Sequence, residues 1–354
     1  MSCMIIPPYL LQRLAGLEAP ELARVAAAAR ASLARDQPFR GVRSPEAAPH
    51  GERRQLNAVT PPEFADPQRT IFDTRGTEVL PGEVVRREGD PAGADPAVNE
   101  AYDGLGHTHA FLRDVLQRAS IDGNNLPLDA SVHFGDAYDN AFWDGERMVF
   151  GDGDGVVFTR MTASLSVIGH ELAHGVTQYT ANLRYEGQSG ALNESFSDVI
   201  GALVEQHTLG HDVEEATWLI GLGLFTDAVE GDALRSMRAP GTAYDDDVLG
   251  RDPQPAHMRD YVDTREDNGG VHLNSGIPNH AFYLVANELG GFAWERAGRI
   301  WYDALTEETL PETTNFTAFA EATTRAAAAR FGEASVERDA VIAGWRGVGI
   351  TADG

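Results

Sequence analysis

The stretch Ser166–Gln178, SVIGHELAHGVTQ, constrains the fold more than any other part of the chain. His170 and His174 stand four apart, so on a helix both rings leave the same face about one turn from each other. Val167, Ile168, Leu172 and Val176 flank them, which marks a helix built to be buried. Buried imidazoles and carboxylates are costly unless they are hydrogen-bonded or hold a cation. Neutral imidazoles at this spacing bind one Zn²⁺, and Glu171 on the same face can reach an attacking water. The plain alternative is two core histidines satisfied by hydrogen bonds, so the rest of the chain must supply what zinc chemistry still needs.

A third ligand comes from SGALNESFSDVIGALVE (Ser189–Glu205), where Glu194 and Asp198 are again four apart on one helical face. Ala191, Leu192, Phe196 and Val199 surround them, so a merely solvated acidic face fits poorly. Packed beside the first helix, this segment offers Glu194 to the metal. Asp198 can accept the free N–H of a metal-bound histidine and so fix its tautomer. For a developing oxyanion, REDNGGVHLNSGIPNHAFY supplies His272 after an Asn268-Gly269-Gly270 turn, with Asp267 to orient it. Tyr185 lies between the two helices and can donate its hydroxyl.

The remaining chain reads as one large α+β unit with two lobes. From Arg69 to about Phe158, TIFDTRG, GEVVRREG and DASVHFG alternate apolar and polar residues, with one helix between them, AVNEAYDGLGHTHAFLRDVLQRAS. GDGDG (Gly151–Gly155) predicts a hairpin turn, with a calcium loop as the alternative. Beyond Met161 helical patterns dominate. Ahead of all this, Pro20–Asp36 predicts a short exposed helix with arginines on one side, followed by a Pro- and Gly-rich linker. The boundaries expected are 1–55 for the leader and linker, 56–180 for the β-rich lobe with the H-E-x-x-H helix, and 181–354 for the helical lobe.

Charge narrows the partners. The chain has 28 basic residues, all arginine, against 54 acids, for a net charge of −26. Such a surface repels phosphates and excludes nucleic acid as a partner. No apolar run reaches the length of a membrane span. Residues 1–57 differ, with 8 arginines against 5 acids, so a basic leader precedes an acidic body and is suited to dock on it. The first residues lack the basic start and unbroken apolar run of a secretory signal.

H-E-x-x-H, G-A-x-N-E-x-x-S-D and D-N-G-G-V-H-x-N-S-G, together with NAFWDGERMVFGDGDG (Asn140–Gly155) and GDALRSM (Gly231–Met237), resemble the thermolysin-like neutral metallopeptidases, from about Thr70 onward. The leader CMIIPPYLL resembles the short propeptide of the protealysin-like subgroup. The resemblance implies a two-lobed zincin with a β-rich N-terminal lobe, a central zinc-binding helix and a mainly helical C-terminal lobe. It implies one catalytic Zn²⁺ on His170, His174 and Glu194, the ligand set of which thermolysin is a type case. Glu171 would be the general base, Tyr185 and His272 the oxyanion donors, Asp267 the partner of His272 and Asp198 that of His170. Asn140, the Ala141 backbone and Arg235 would bind the main chain of a peptide or protein substrate. Phe158, Met161, Val167 and Leu234 would line an apolar pocket, so cleavage falls before a bulky hydrophobic residue.

The sequence also departs from the family. Ser166 stands where the paired calcium site has an Asp, and the loop after Glu205 is rearranged, so Ca²⁺ is left open and a double site is not expected. The acidic run YDDDVLG (Tyr244–Gly250) reads as solvated charge rather than an ion site. Residues 1–55 are expected to inhibit the enzyme in the same molecule until a cut within Arg43–Asn57. Cys3, the lone cysteine, is expected to pack against the body, the alternative being a thiolate that blocks the metal. Export by a non-classical route is favoured over a cytoplasmic enzyme, and a monomer is expected. The competing function is a catalytically silent zinc-containing binding protein; a serine hydrolase is excluded because no G-x-S-x-G occurs.

Overall fold

The computed structural model describes residues 3–41, 64–307 and 310–351. The N-terminal segment forms a strand, β1 (Cys3–Met4), and two helices, α1 (Pro8–Ala15) and α2 (Ala23–Gly41). The first lobe follows with β2 (Arg69–Asp73), β3 (Glu83–Arg87), α3 (Pro96–Asp114), β4 (Leu128–Val132), β5 (Ala141–Trp143) and β6 (Met148–Phe150). Then come the paired helices α4 (Leu165–Gln178) and α5 (Gly187–Leu209). Short strands β7 (Leu219–Ile220), β8 (Arg235–Ser236), β9 (Asp245–Asp246) and β10 (Gly250–Arg251) precede α6 (Asp267–Asn274), α7 (Gly276–Leu289), α8 (Ala297–Thr306), α9 (Phe316–Phe331) and α10 (Val336–Gly347). The α+β, two-lobed expectation holds, with four short strands interrupting the stretch read as helical.

The first lobe carries a six-stranded mixed sheet in the order β1-β5-β6-β4-β2-β3. β4 runs parallel to β2 and β6, and the other pairs are antiparallel. β1 caps the β5 edge, with Met4 opposite Phe142. Sheet edges offer unpaired N–H and C=O groups to any extended peptide, and here the chain's own start takes them.

α4 and α5 pack closely because glycines face each other. A Cβ on Gly201 would collide with the Ser166 carbonyl, and one on Gly169 would reach the Gly201 Cα. The axes therefore approach closely enough for side chains on the facing sides to share one small volume.

Two local expectations are corrected. GDGDG does not turn a hairpin, because Asp154 Oδ1 accepts from the amides of Val156, Val157 and Phe158 at 2.8, 2.8 and 3.0 Å and takes the donors a strand would need. The hairpin of this region is β5–β6, turned at Asp144, whose carboxylate accepts from the Glu146 and Arg147 amides. The helix after Pro20 is not simply exposed: Val25, Ala26, Ala28, Ala29, Ser32 and Asp36 of α2 are buried. Alternating alanine and arginine hid that face.

His133 pins three loops of the first lobe. It sits in a left-handed conformation (φ 58°), with Nε2 2.8 Å from Asp95 at the start of α3 and Nδ1 2.8 Å from Asp152. The hydrogen bond to Asp152 leads, with Asp95 adding to it, and they push the imidazole up to about 9 against the cost of burial. A raised histidine stabilises fully below its unfolded value near 6.5, and that contribution is lost as pH rises through about 9. Because the three groups are partly in water, we expect a loss of about 1 kcal/mol across this window. Thermal midpoints measured against pH should show the drop in the wild type and not in His133→Asn, which tolerates the same backbone.

Candidate metal centre and cleft

α4 and α5 bring three ligand atoms to one point. His170 Nε2 and His174 Nε2 are 3.1 Å apart, and the two oxygens of Glu194 lie 3.5 and 3.6 Å from them. A tetrahedral ion with bonds of about 2.0–2.1 Å would space its ligands about 3.3 Å apart. All three side chains are buried, and they are the one such group among the described residues.

The surroundings set the ring tautomers. His170 Nδ1 is 2.7 Å from Asp198 Oδ1 and His174 Nδ1 is 2.8 Å from Asn193 Oδ1. The Asn193 amide is oriented by its own bond from Nδ2 to the Leu183 carbonyl. With the protons on Nδ1, both Nε2 lone pairs point at each other, and Glu194 Oε2 lies buried without a hydrogen-bond donor. Two lone pairs and a carboxylate converging in a dry site fit a cation and little else.

Around this point stand the other predicted residues. Glu171 is fully buried; Oε2 accepts from the Trp143 amide at 3.0 Å. Burial first, then the charge of Glu194, push its carboxyl well above the usual range. Tyr185 donates to Glu194 Oε1 and lies 3.2 Å from His272 Nε2. Asp267 accepts both the His272 amide and its Nδ1–H, at 2.9 and 2.6 Å. Burial would lower the His272 value, but Asp267 and Glu194 outweigh it and hold it up. Asn268, Gly269 and Gly270 all take left-handed φ values, 50°, 83° and 73°, and swing His272 into place.

Asp198 does more than its sequence-based role. It accepts from Arg235 Nε and Nη2 at 2.9 and 2.8 Å, and from Asn279 Nδ2 at 2.8 Å, besides His170. Burial alone would raise its value, yet the charge of Arg235 and the hydrogen bonds from Arg235 and His170 hold it well below the usual carboxylate range.

The cleft beside the ligands holds the chain's own N-terminal segment. Met4 O accepts from His272 Nε2 at 2.9 Å, Ile5 N–H donates to Ala141 O at 3.2 Å, and Ile5 O accepts from Arg235 Nη1 at 3.2 Å. Ile6 N–H donates to Asn140 Oδ1 at 2.9 Å. Ile5 and Ile6 are fully buried, and both belong to the main apolar core that also includes Phe158, Met161, Val167 and Leu234. The side chain of Cys3 lies outside the described residues, as does the Arg43–Asn57 stretch expected to be cut.

The calcium reading follows the departure at Ser166: its Oγ accepts from the Gly221 amide at 3.1 Å, and Thr217 donates to Glu205. The acidic run forms the β9–β10 hairpin, whose Asp246 accepts from the amides of Glu230, Val248 and Leu249. Arg13 of α1 donates to the carbonyls of Asp247 and Val248 there. Sequence reasoning missed Asn193, Asn279 and the Trp143 amide. Asn193 carried a signal, being a polar residue in an otherwise apolar helix directly before Glu194.

Comparison with known families decides the class. Residues 64–178 match the thermolysin metallopeptidase catalytic domain, and 181–350 match the alpha-helical domain of the same family. The chain belongs to the thermolysin metallopeptidase family. An extracellular metalloprotease of Pectobacterium carotovorum is 49% identical over 98% of this chain and 96% of that one. Thermolysin of Alicyclobacillus acidocaldarius is 38% identical over 79% of this chain and 50% of its own length. The solved precursor of protealysin, a metalloproteinase from Serratia proteamaculans, is 46% identical and superposes with a TM-score of 0.87 over 99% of this chain and all of that one. As a thermolysin-type enzyme this chain is a zinc metalloendopeptidase, with His170, His174 and Glu194 as its zinc site.

Since Asn193 fixes the tautomer of one zinc ligand, Asn193→Ala should keep the fold and weaken zinc binding by roughly 10- to 100-fold. Competition against a chromogenic chelator measures this, with unchanged far-UV circular dichroism as the control.

Proposed function

We propose that the enzyme hydrolyses peptide bonds on the N-terminal side of bulky hydrophobic residues and is made as a precursor that blocks itself. The observation that carries this reading is the N-terminal segment in the cleft. Its main chain runs antiparallel to β5, and its Met4 carbonyl is the one brought to His272 beside the metal ligands. A substrate bound in the same way would present its scissile carbonyl where Met4 O lies and its next side chain where Ile5 is buried.

Zinc on His170, His174 and Glu194 supplies Lewis-acid polarisation of the carbonyl and activation of water. The chain's own groups do the rest. With a cation on the ligands to offset the Glu194 charge that raises it, Glu171 would be ionised, take the proton of the attacking water and pass it to the leaving amine. Tyr185 and His272 donate hydrogen bonds to the carbonyl oxygen as it gains charge, and Asp267 keeps His272 protonated for that task. Asp198 steadies His170 and Arg235 together. Asn140, Ala141 and Arg235 grip the main chain on the leaving-group side. Phe158, Met161, Val167 and Leu234 receive the side chain that follows the cut, and the flexible Met161 lets the pocket accept several shapes.

In this reading residues 1–55 are an inhibitory propeptide and linker, 56–180 and 181–354 the two catalytic lobes, and activation is a cut within Arg43–Asn57. The mature monomer acts outside the cell, as the names of the Pectobacterium and Serratia relatives suggest for those proteins, after export by a non-classical route.

Glu171→Gln should retain one zinc per chain, remain uncut as a precursor, and lose at least about 1,000-fold in casein hydrolysis. The wild type should cut a peptide library before Leu, Ile, Phe and Val. Wild-type turnover by Glu171→Gln, or cleavage fixed by the residue before the bond, would contradict the assignment.

A further inference from the structure

The N-terminal segment touches the catalytic body at a second place, away from the metal ligands. Helix α2 lies over Tyr138, Asp139 and Asn140. The Asp139 amide donates to Ser32 Oγ at 3.0 Å. Asp36, fully buried, accepts from Tyr138 Oη at 2.8 Å and from Asn140 Nδ2 at 3.1 Å. Asp139 is itself fully buried, and its carboxylate has no partner beyond the Asp154 amide that faces it; Asp154 Oδ2, also buried, has none among the described residues. Arg35, the cation whose charge acts on Asp139, is held by Glu78 and by the Asp136 carbonyl.

We infer that Asp139 and Asp154 form a proton-held latch beneath α2, so that rising pH loosens the propeptide from the body. The inference rests on the reading of residues 1–55 as an inhibitory propeptide. Two carboxylates in a dry site cannot both carry charge without a cation, so the closed precursor keeps a proton on one of them. Burial, followed by the charge of Asp154, pushes Asp139 up to about 8, while the Asp154 amide and Arg35 offset only part of this. The charged groups acting on it are Asp154 from the loop after β6 and Arg35 from α2; Asp36 of α2 is held by Tyr138 and Asn140. When α2 lifts, water reaches Asp139 and its value falls toward the ordinary range near 4. The closed form therefore binds the extra proton. Docking is complete at low pH and weakens by up to about tenfold per unit as pH rises toward 8.

The test uses the full-length precursor with Glu171→Gln, which cannot process itself. Clipping by added trypsin at Arg24 and Arg30, both in α2, is followed by mass spectrometry from about pH 6 to about pH 9. Each rate is divided by that of the same chain carrying Asp139→Asn at the same pH, which cancels the pH profile of trypsin. The ratio should climb at least about tenfold over this range; a flat ratio overturns the latch. If Asp139→Asn does not fold, each rate is divided instead by that of trypsin on a small arginine substrate at the same pH, and Asp154→Asn gives a second reading: removal of the neighbouring charge should move the midpoint of the rise to lower pH, and an unmoved midpoint overturns the latch equally. Clipping is read on an inactive chain, so failure of the latch and failure of the peptidase assignment are seen separately.

Discussion

Asp198 is the interaction on which the rest of the active region depends. It is fully buried on α5, and it joins His170 of α4, Arg235 of β8 and Asn279 of α7 through four hydrogen bonds. A buried charge is tolerable only when paired and fully hydrogen-bonded, and this one meets both conditions. One carboxylate thus sets the tautomer of a zinc ligand and pairs the guanidinium of Arg235, the proposed grip on a peptide main chain. Removing it would strand Arg235 as an uncompensated cation in the core. In the proposed function, zinc binding and main-chain recognition are therefore not independent modules.

The proposed self-inhibition would follow from the same geometry. An enzyme that reads extended peptides along a sheet edge is open to its own chain, and β1 pairs antiparallel with β5 on that edge. Charge reinforces the fit. The basic leader lies on an acidic body, with Arg13 on the β9–β10 hairpin and Arg35 paired to Glu78. These outer contacts are exposed and individually weak, whereas Ile5 and Ile6 are wholly buried, so apolar burial in the cleft carries most of the attachment.

Much of this was legible in the sequence because the chemistry is local. Four-residue spacing placed His170 with His174 and Glu194 with Asp198, and the apolar residues around them showed that the faces are buried. Asn268-Gly269-Gly270 announced a left-handed turn before His272. What was not legible depends on partners far along the chain. GDGDG suggested a hairpin, but Asp154 captures three amides and ends the pairing. The α2 face was obscured because alanine suits buried and exposed positions alike, and its packing on α1 and on Tyr138–Asn140 decides. The shared role of Asp198 also escaped, since nothing near position 198 reveals that Arg235 approaches it.

In the proposed precursor, zinc is held by two imidazoles and one carboxylate while a peptide main chain, not a thiolate, covers it. X-ray absorption at the zinc edge of the intact Glu171→Gln precursor tests this most directly. The expected spectrum shows a first shell of nitrogen and oxygen only, near 2.0–2.1 Å, with outer-shell scattering from two histidine rings. A sulfur scatterer near 2.3 Å, or the signature of fewer than two imidazoles, would contradict it.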